Sequence, residues 1–268
     1  MYPPAENFAE VVKNSEEICR EYGEKTERVY SDEPSRHSFL VHFHFLGKKS
    51  ECEFHFYQDE LVLVIARCFY LRADREGSGS PFALPSKADP KGPLSKELQT
   101  DGTGVAVEFQ MIDVSRCSSR CSGSWLVRAA LSICADLGFS WAALTDEARI
   151  AASVKGVRQK TSLLLLRAFQ GRPPWYASFG FRHPREGEIS RLAEELRQTP
   201  LTRLGYRLES PLGPYMANLW SFDPPRYFDM LEALGRHPES REKVEEINLL
   251  NREAYWVRDL RSGIFAKL

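Results

Sequence analysis

Several groups of side chains in this chain have the types and spacing for chemistry. His42, His44 and His55 fall with Glu53 on alternate positions of two neighbouring strand-like runs. Three imidazoles and a carboxylate on one face are the ligand types of a zinc site. The same alternation also describes the polar outer face of a sheet, and no metal is expected. Ser122-Gly123-Ser124 stand between an apolar run and a strong helical pattern. Unpaired N–H groups and the positive end of a helix dipole make an anion site there, and small residues let a phosphate approach the backbone. An ordinary serine-rich helix cap would use the same residues. Glu108 interrupts the apolar run 105–114, sharing a strand face with Gln110 and Ile112. It reads as a poised carboxylate or as a solvated strand residue. Tyr176 lies among Trp175, Phe179 and Phe181, where an aromatic also serves as core packing. Cys117 and Cys121 would need a histidine partner to act as nucleophiles, which sequence distance does not supply.

The zincin, nucleophile-elbow and P-loop motifs do not occur. The 268 residues balance 36 basic against 37 acidic side chains, a net charge of -1. No global field therefore draws the chain to nucleic acid or an acidic membrane, and neither is expected as a partner. With 43% apolar and 27% charged residues, the composition is that of a globular chain able to bury its own core. No apolar run reaches the roughly 20 residues of a membrane span. The opening residues lack the basic-then-apolar pattern of a secretory signal. Cys19, Cys52, Cys68, Cys117, Cys121 and Cys134 form no CxxC pair and read as reduced thiols. The expected location is the cytoplasm, with the nucleus an option.

The elements that must position these groups follow from periodicity. Residues 8–22 place Phe8, Val11, Val12, Ile18, Cys19 and Tyr22 at helical spacing, with Asn7 as cap. Runs 38–46, 52–57 and 61–71 alternate and predict an antiparallel meander. Residues 72–104, rich in glycine and proline, predict a long flexible loop. Strand 105–114 follows, then a helix to Leu137 closed by Gly138, then strand 139–144. The polar segment 146–159 carries no assignment, and 161–169 suits either strand or buried helix. Helices are expected over 188–197, 227–234 and 240–258, with strands near 203–209 and 215–222.

The centre of the chain, roughly residues 51–184, resembles the GNAT N-acyltransferases. In that family a central strand splays from its neighbour, a loop follows, and the next helix points its N-terminus at the pyrophosphate of acetyl-CoA. Strand 105–114, the loop holding Arg120-Cys121-Ser122-Gly123-Ser124 and the helix from Trp125 have that order and length. A second likeness is the family's Y-x-x-x-G-F, here Tyr176-Ala177-Ser178-Phe179-Gly180-Phe181. The resemblance implies an α/β (α+β) fold, a central antiparallel-to-mixed sheet with flanking helices. Residues 1–184 would form that core and 185–268 a helix-rich extension packed on it.

It also implies an acyl-CoA-dependent transfer, of acetyl above all, to an amine-bearing acceptor, either a small molecule or a protein. Acetyl-CoA would be cradled by Arg120, Cys121, Ser122, Gly123 and Ser124. Glu108 would take the proton from the amine and Tyr176 would protonate the thiolate leaving group. The acceptor would enter beneath the 72–104 loop. Trp125 stands where the family has a tiny residue. On that residue rests the alternative, a catalytically inactive GNAT-like protein acting as a binding or regulatory module.

Overall fold

The computed structural model of the chain describes residues 26–32, 35–45, 51–58, 61–72, 105–109 and 123–261. The helix expected over 8–22, the loop over 73–104, the strand end 110–114 and the cradle residues Arg120, Cys121 and Ser122 lie outside the described residues.

Strands β1 (Thr26–Asp32), β2 (Ser35–Phe45), β3 (Glu51–Gln58) and β4 (Leu61–Arg72) form an antiparallel meander. Strand β1 and the start of β2 add to the three expected runs. The register follows the alternation in the sequence. Val41 sits across from Phe56 and Phe43 from Phe54, while His42 sits across from His55 and His44 from Glu53. Cα partners in an antiparallel pair share a face, so a one-residue slip would mix the apolar and polar sets.

Strand β5 (Val105–Phe109) pairs antiparallel with β4. Helix α1 (Gly123–Asp136) then leads to β6 (Trp141–Leu144), which pairs parallel with β5. The late strand β9 (Trp256–Asp259) lies beside β6, giving a mixed sheet in the order β1-β2-β3-β4-β5-β6-β9. The fold class is α+β, as expected. Among the described residues no helix is long and apolar enough to cross a membrane.

The chain divides into two compact units. Among the described residues one holds everything up to Leu144 together with Val257 onward, and the other holds Thr145–Trp256. The division falls at Leu144.

The second unit opens with a hairpin of β7 (Arg149–Val154) and β8 (Val157–Ser162). Lys155 and Gly156 take φ values of 49° and 79°. That pair of left-handed residues suits a two-residue hairpin turn. The hairpin occupies the polar segment that periodicity left unassigned. Both of its strands carry exposed charged residues, so no apolar alternation marks them. The ambiguous 161–169 run is divided between the two options. Ser162 ends β8, and its Oγ accepts from Leu165 N at 3.4 Å to cap α2 (Leu163–Phe169).

Helices α3 (Glu186–Arg197), α4 (Leu212–Phe222), α5 (Pro224–Arg236) and α6 (Pro238–Glu253) follow. Asp223 caps α5 ahead of Pro224, and His237 caps α6 ahead of Pro238, each proline sitting where its missing N–H costs nothing. Three expectations are corrected here. The 215–222 run is the helix α4, because its buried residues Leu212, Met216 and Leu219 recur at helical spacing despite the aromatic, strand-like composition. The 203–209 run is a short 3₁₀ turn, Leu201–Leu204, closed by Gly205 at φ 83°. Helix α6 stops at Glu253 rather than 258, because Ala254 turns extended and Trp256 begins β9.

Arg197, the last residue of α3, lies flat against two glycines. A methyl added at Gly213 would run into Arg197 Cγ and stand 2.9 Å from Cδ and 3.0 Å from Cβ. At Gly171, φ is 64° and an added methyl would meet the guanidinium carbon at 3.1 Å. The obstruction at Gly213 involves the root of the arginine, which cannot swing away. Gly213→Ala is therefore expected to lower stability by about 1–3 kcal/mol, although alanine favours a helix by about 1 kcal/mol. Adding Arg197→Ala should recover most of that loss in a denaturation double-mutant cycle. A neutral or stabilising Gly213→Ala on its own would contradict this packing.

Candidate functional site

The centre of the first unit is the β5–α1–β6 crossover. Ala106, Val107, Glu108 and Phe109 of β5 are all buried, as are Ala142, Ala143 and Leu144 of β6. Successive strand residues face opposite ways, so both faces of this pair are covered. Glu108 is only 5% exposed and sits across from Phe69 of β4 and Ala143 of β6. The solvated reading of Glu108 is thereby corrected: this carboxyl is held inside the sheet layer, where a polar group needs a reason to be kept.

Helix α1 forms because Val127, Ala130, Leu131 and Cys134 make one buried stripe at helical spacing. Cys134 is a buried free thiol. The helix ends in a Schellman motif. Gly138 at φ 92° donates to Ala135 O at 3.1 Å, and Phe139 N donates to Cys134 O at 3.0 Å. A parallel pair needs a crossover, so α1 runs back along the sheet. The segment that crosses from β5 to β6 includes α1, which opens with Gly123 and Ser124. Both residues are half-buried.

Tyr176 belongs to the second unit. It opens a 3₁₀ turn, Tyr176–Phe179, after Pro173-Pro174, and does not close a helix. Gly180 at φ 81° ends that turn, with Phe181 N donating to Tyr176 O at 3.3 Å. Trp175 meets the Tyr176 ring at 4.9 Å and Phe179 edge-on at 5.1 Å, and Phe181 meets Tyr176 edge-on at 5.8 Å. At 8% exposure the phenol is pushed well above its ordinary range, first by burial and then by the charge of Asp146. It holds its proton throughout the physiological range.

Sequence reasoning missed a buried polar chain around Asp146. Asp146 Oδ1 accepts from Ala148 N at 3.1 Å, and its carbonyl accepts from Asn251 Nδ2 at 2.9 Å. Asn251 Oδ1 in turn accepts from Trp256 Nε1 at 2.8 Å. The Trp256 ring tilts on His183 at 5.1 Å, and His183 Nδ1 accepts from Arg185 N at 3.1 Å. Accepting at Nδ1 leaves Nε2 to carry the proton of the neutral ring. Asp146 Oδ2 is buried without a hydrogen bond.

Both groups titrate away from their usual range. Burial raises the Asp146 carboxyl from 3.8 to about 6, with the Glu147 charge adding to the rise and the Ala148 N–H opposing it. Burial lowers His183 from 6.5 to about 4, the backbone of Ala254 partly resisting and Arg185 assisting. The arrangement can exchange a proton near neutral pH at Asp146 beside a phenol that stays protonated. In the sequence, Asp146 has the look of an ordinary turn residue after a strand. Nothing in residue type marked it, because its character comes from burial.

Among the described residues, no group of three or more His, Cys, Asp or Glu is placed to hold a metal. No protein-family model, curated protein or solved structure matches the chain.

The Asp146 carboxyl has a higher affinity for its proton folded than unfolded. Its contribution to stability is complete below 3.8 and is lost as the pH rises through about 6. Asp146→Asn keeps the acceptor for Ala148 N and removes the charge. It should raise stability by about 1–3 kcal/mol at pH 7.5 and leave it unchanged at pH 3.5, read by urea denaturation at the two pH values. A gain of equal size at both would show that Asp146 is not titrating in this window.

Proposed function

We propose that the chain is an acyl-CoA-dependent N-acyltransferase on a GNAT-like fold, moving an acyl group, above all acetyl, to an amine. The observation that supports this reading is the parallel β5–β6 pair whose connection contains a helix opening with Gly123-Ser124, an order that in such a crossover sets the helix start toward the strands' carboxyl ends. Unpaired N–H groups of a helix start, on residues with almost no side chain, suit a pyrophosphate. The buried Glu108 near the same end is the carboxylate assigned to remove a proton from the attacking amine. The nitrogen then forms its bond to the thioester carbonyl carbon, and the carbon–sulfur bond breaks. The departing thiolate takes a proton from water; Tyr176, to which the resemblance gives that role, belongs to the second unit, and burial holds its phenol to its proton more tightly than usual. Arg120, Cys121 and Ser122 complete the proposed cradle.

Trp125, one residue after the small pair, favours a second reading. An indole in place of a tiny residue fits a GNAT-like protein that binds or regulates without catalysis.

A thermal-shift or calorimetric titration with acetyl-CoA and free CoA separates the two. Binding to the folded state alone adds about 2.7 kcal/mol of apparent stability at a hundredfold excess over Kd. Gly123→Trp should abolish that shift. Glu108→Gln should keep it while slowing acyl transfer by about 10²–10⁴. Absence of any shift at millimolar CoA would end the acyltransferase reading and leave the binding module.

A further inference from the structure

The second unit has a half-open pocket of about 290 Å³ between α2, the 171–174 turn and helices α3 and α6. Its floor is apolar, made by Leu164, Ile189, Ala193 and Ile247. Its mouth is charged. Arg172 lines it directly, and Arg167 donates from Nε to the carbonyl of Pro173, another lining residue, at 2.6 Å. That bond ties the Arg167 guanidinium to a residue of the pocket wall and leaves its terminal nitrogens free to donate.

Charge at the mouth is unbalanced. Glu194 also lines the pocket, but Arg197 Nη1 donates to both its oxygens at 3.0 and 2.9 Å, and Gln198 donates at 2.6 Å. Those contacts hold the Glu194 carboxyl ionised and occupied. Arg167 and Arg172 have no carboxylate partner among the described residues. Partial burial and then the neighbouring Arg172 charge both lower the Arg167 guanidinium's hold on its proton. Arg172 N donates to Arg167 O at 2.9 Å, which sets the two arginines on one turn, and their planar forks match a carboxylate or phosphate.

We propose that this pocket binds a small amphipathic anion, its apolar body on the Leu164–Ile189–Ile247 floor and its carboxylate or phosphate head against Arg167 and Arg172. The volume is near the lower limit, about 300 Å³, of small-molecule sites, so the ligand is compact. The site is independent of acyl transfer.

Calorimetry on the full chain tests this with octanoate, octyl phosphate, octanol and octylammonium. One or both anions should bind, at least about ten-fold more tightly than octanol, with octylammonium weakest. The tighter anion identifies the head as carboxylate or phosphate. Arg172→Gln, on an exposed residue, should weaken anion binding by about ten-fold and leave octanol unchanged. Ala193→Trp, checked for folding by its melting curve, should remove binding of both. Gly123→Trp should have no effect, which separates this pocket from the proposed acyl-CoA cradle. No anion binding at millimolar concentration, octanol binding as tightly as octanoate, or Arg172→Gln without effect would each overturn the proposal.

Discussion

Two parallel strands cannot be joined by a turn, and that constraint organises the first unit. Because β6 lies parallel to β5, the chain must cross back over the sheet before re-entering it. The crossover contains α1, which opens at Gly123. Its Val127, Leu131 and Cys134 are fully buried. Glu108 is a buried carboxyl in a pair of strands that are otherwise apolar. Were β6 antiparallel, a tight hairpin would serve, and Gly123 would not open a helix there.

The second unit is held by a different device, polar groups joined inside an apolar shell. The side chain of Asn251, on α6, spans from the Asp146 carbonyl to the Trp256 indole and so ties the unit's first residues to its last. A second link runs between the Thr161 and Tyr227 hydroxyls at 3.3 Å, joining β8 to α5. Around these, Ile189, Leu192 and Leu196 of α3 and Ile247 and Leu250 of α6 are buried, and the two helices are in contact. Each buried polar contact fixes one relative position that apolar packing alone would leave adjustable.

Much of this was legible in the residues, and what escaped did so for physical reasons. The β2–β3 register follows from strict alternation, as in Val41-His42-Phe43-His44 against Glu53-Phe54-His55-Phe56. Helix α1 follows from its apolar stripe and Gly138. The β7–β8 hairpin escaped because exposed polar residues carry no alternation, and only Lys155-Gly156 hints at a turn. Helix α4 was misread because Tyr215, Trp220 and Phe222 favour strands, while the period of Leu212, Met216 and Leu219 decided otherwise. The resemblance singled out Glu108, Gly123, Ser124 and Tyr176 by position. The sequence could not point to Asp146 or His183, because what distinguishes them is desolvation by residues far along the chain.

Asp146 and His183 displace their proton affinities in opposite directions over nearly the same interval. As acidity increases from 6.5 toward 4, the unfolded chain gains a proton at histidine that the folded chain refuses. Over much of that interval the folded chain accepts one at aspartate that the unfolded chain declines. The total uptake of the two states stays close, and the two burials mask each other. A pair of strained ionisations can thus sit inside a protein whose overall acid tolerance looks ordinary, visible only once one member of the pair is silenced.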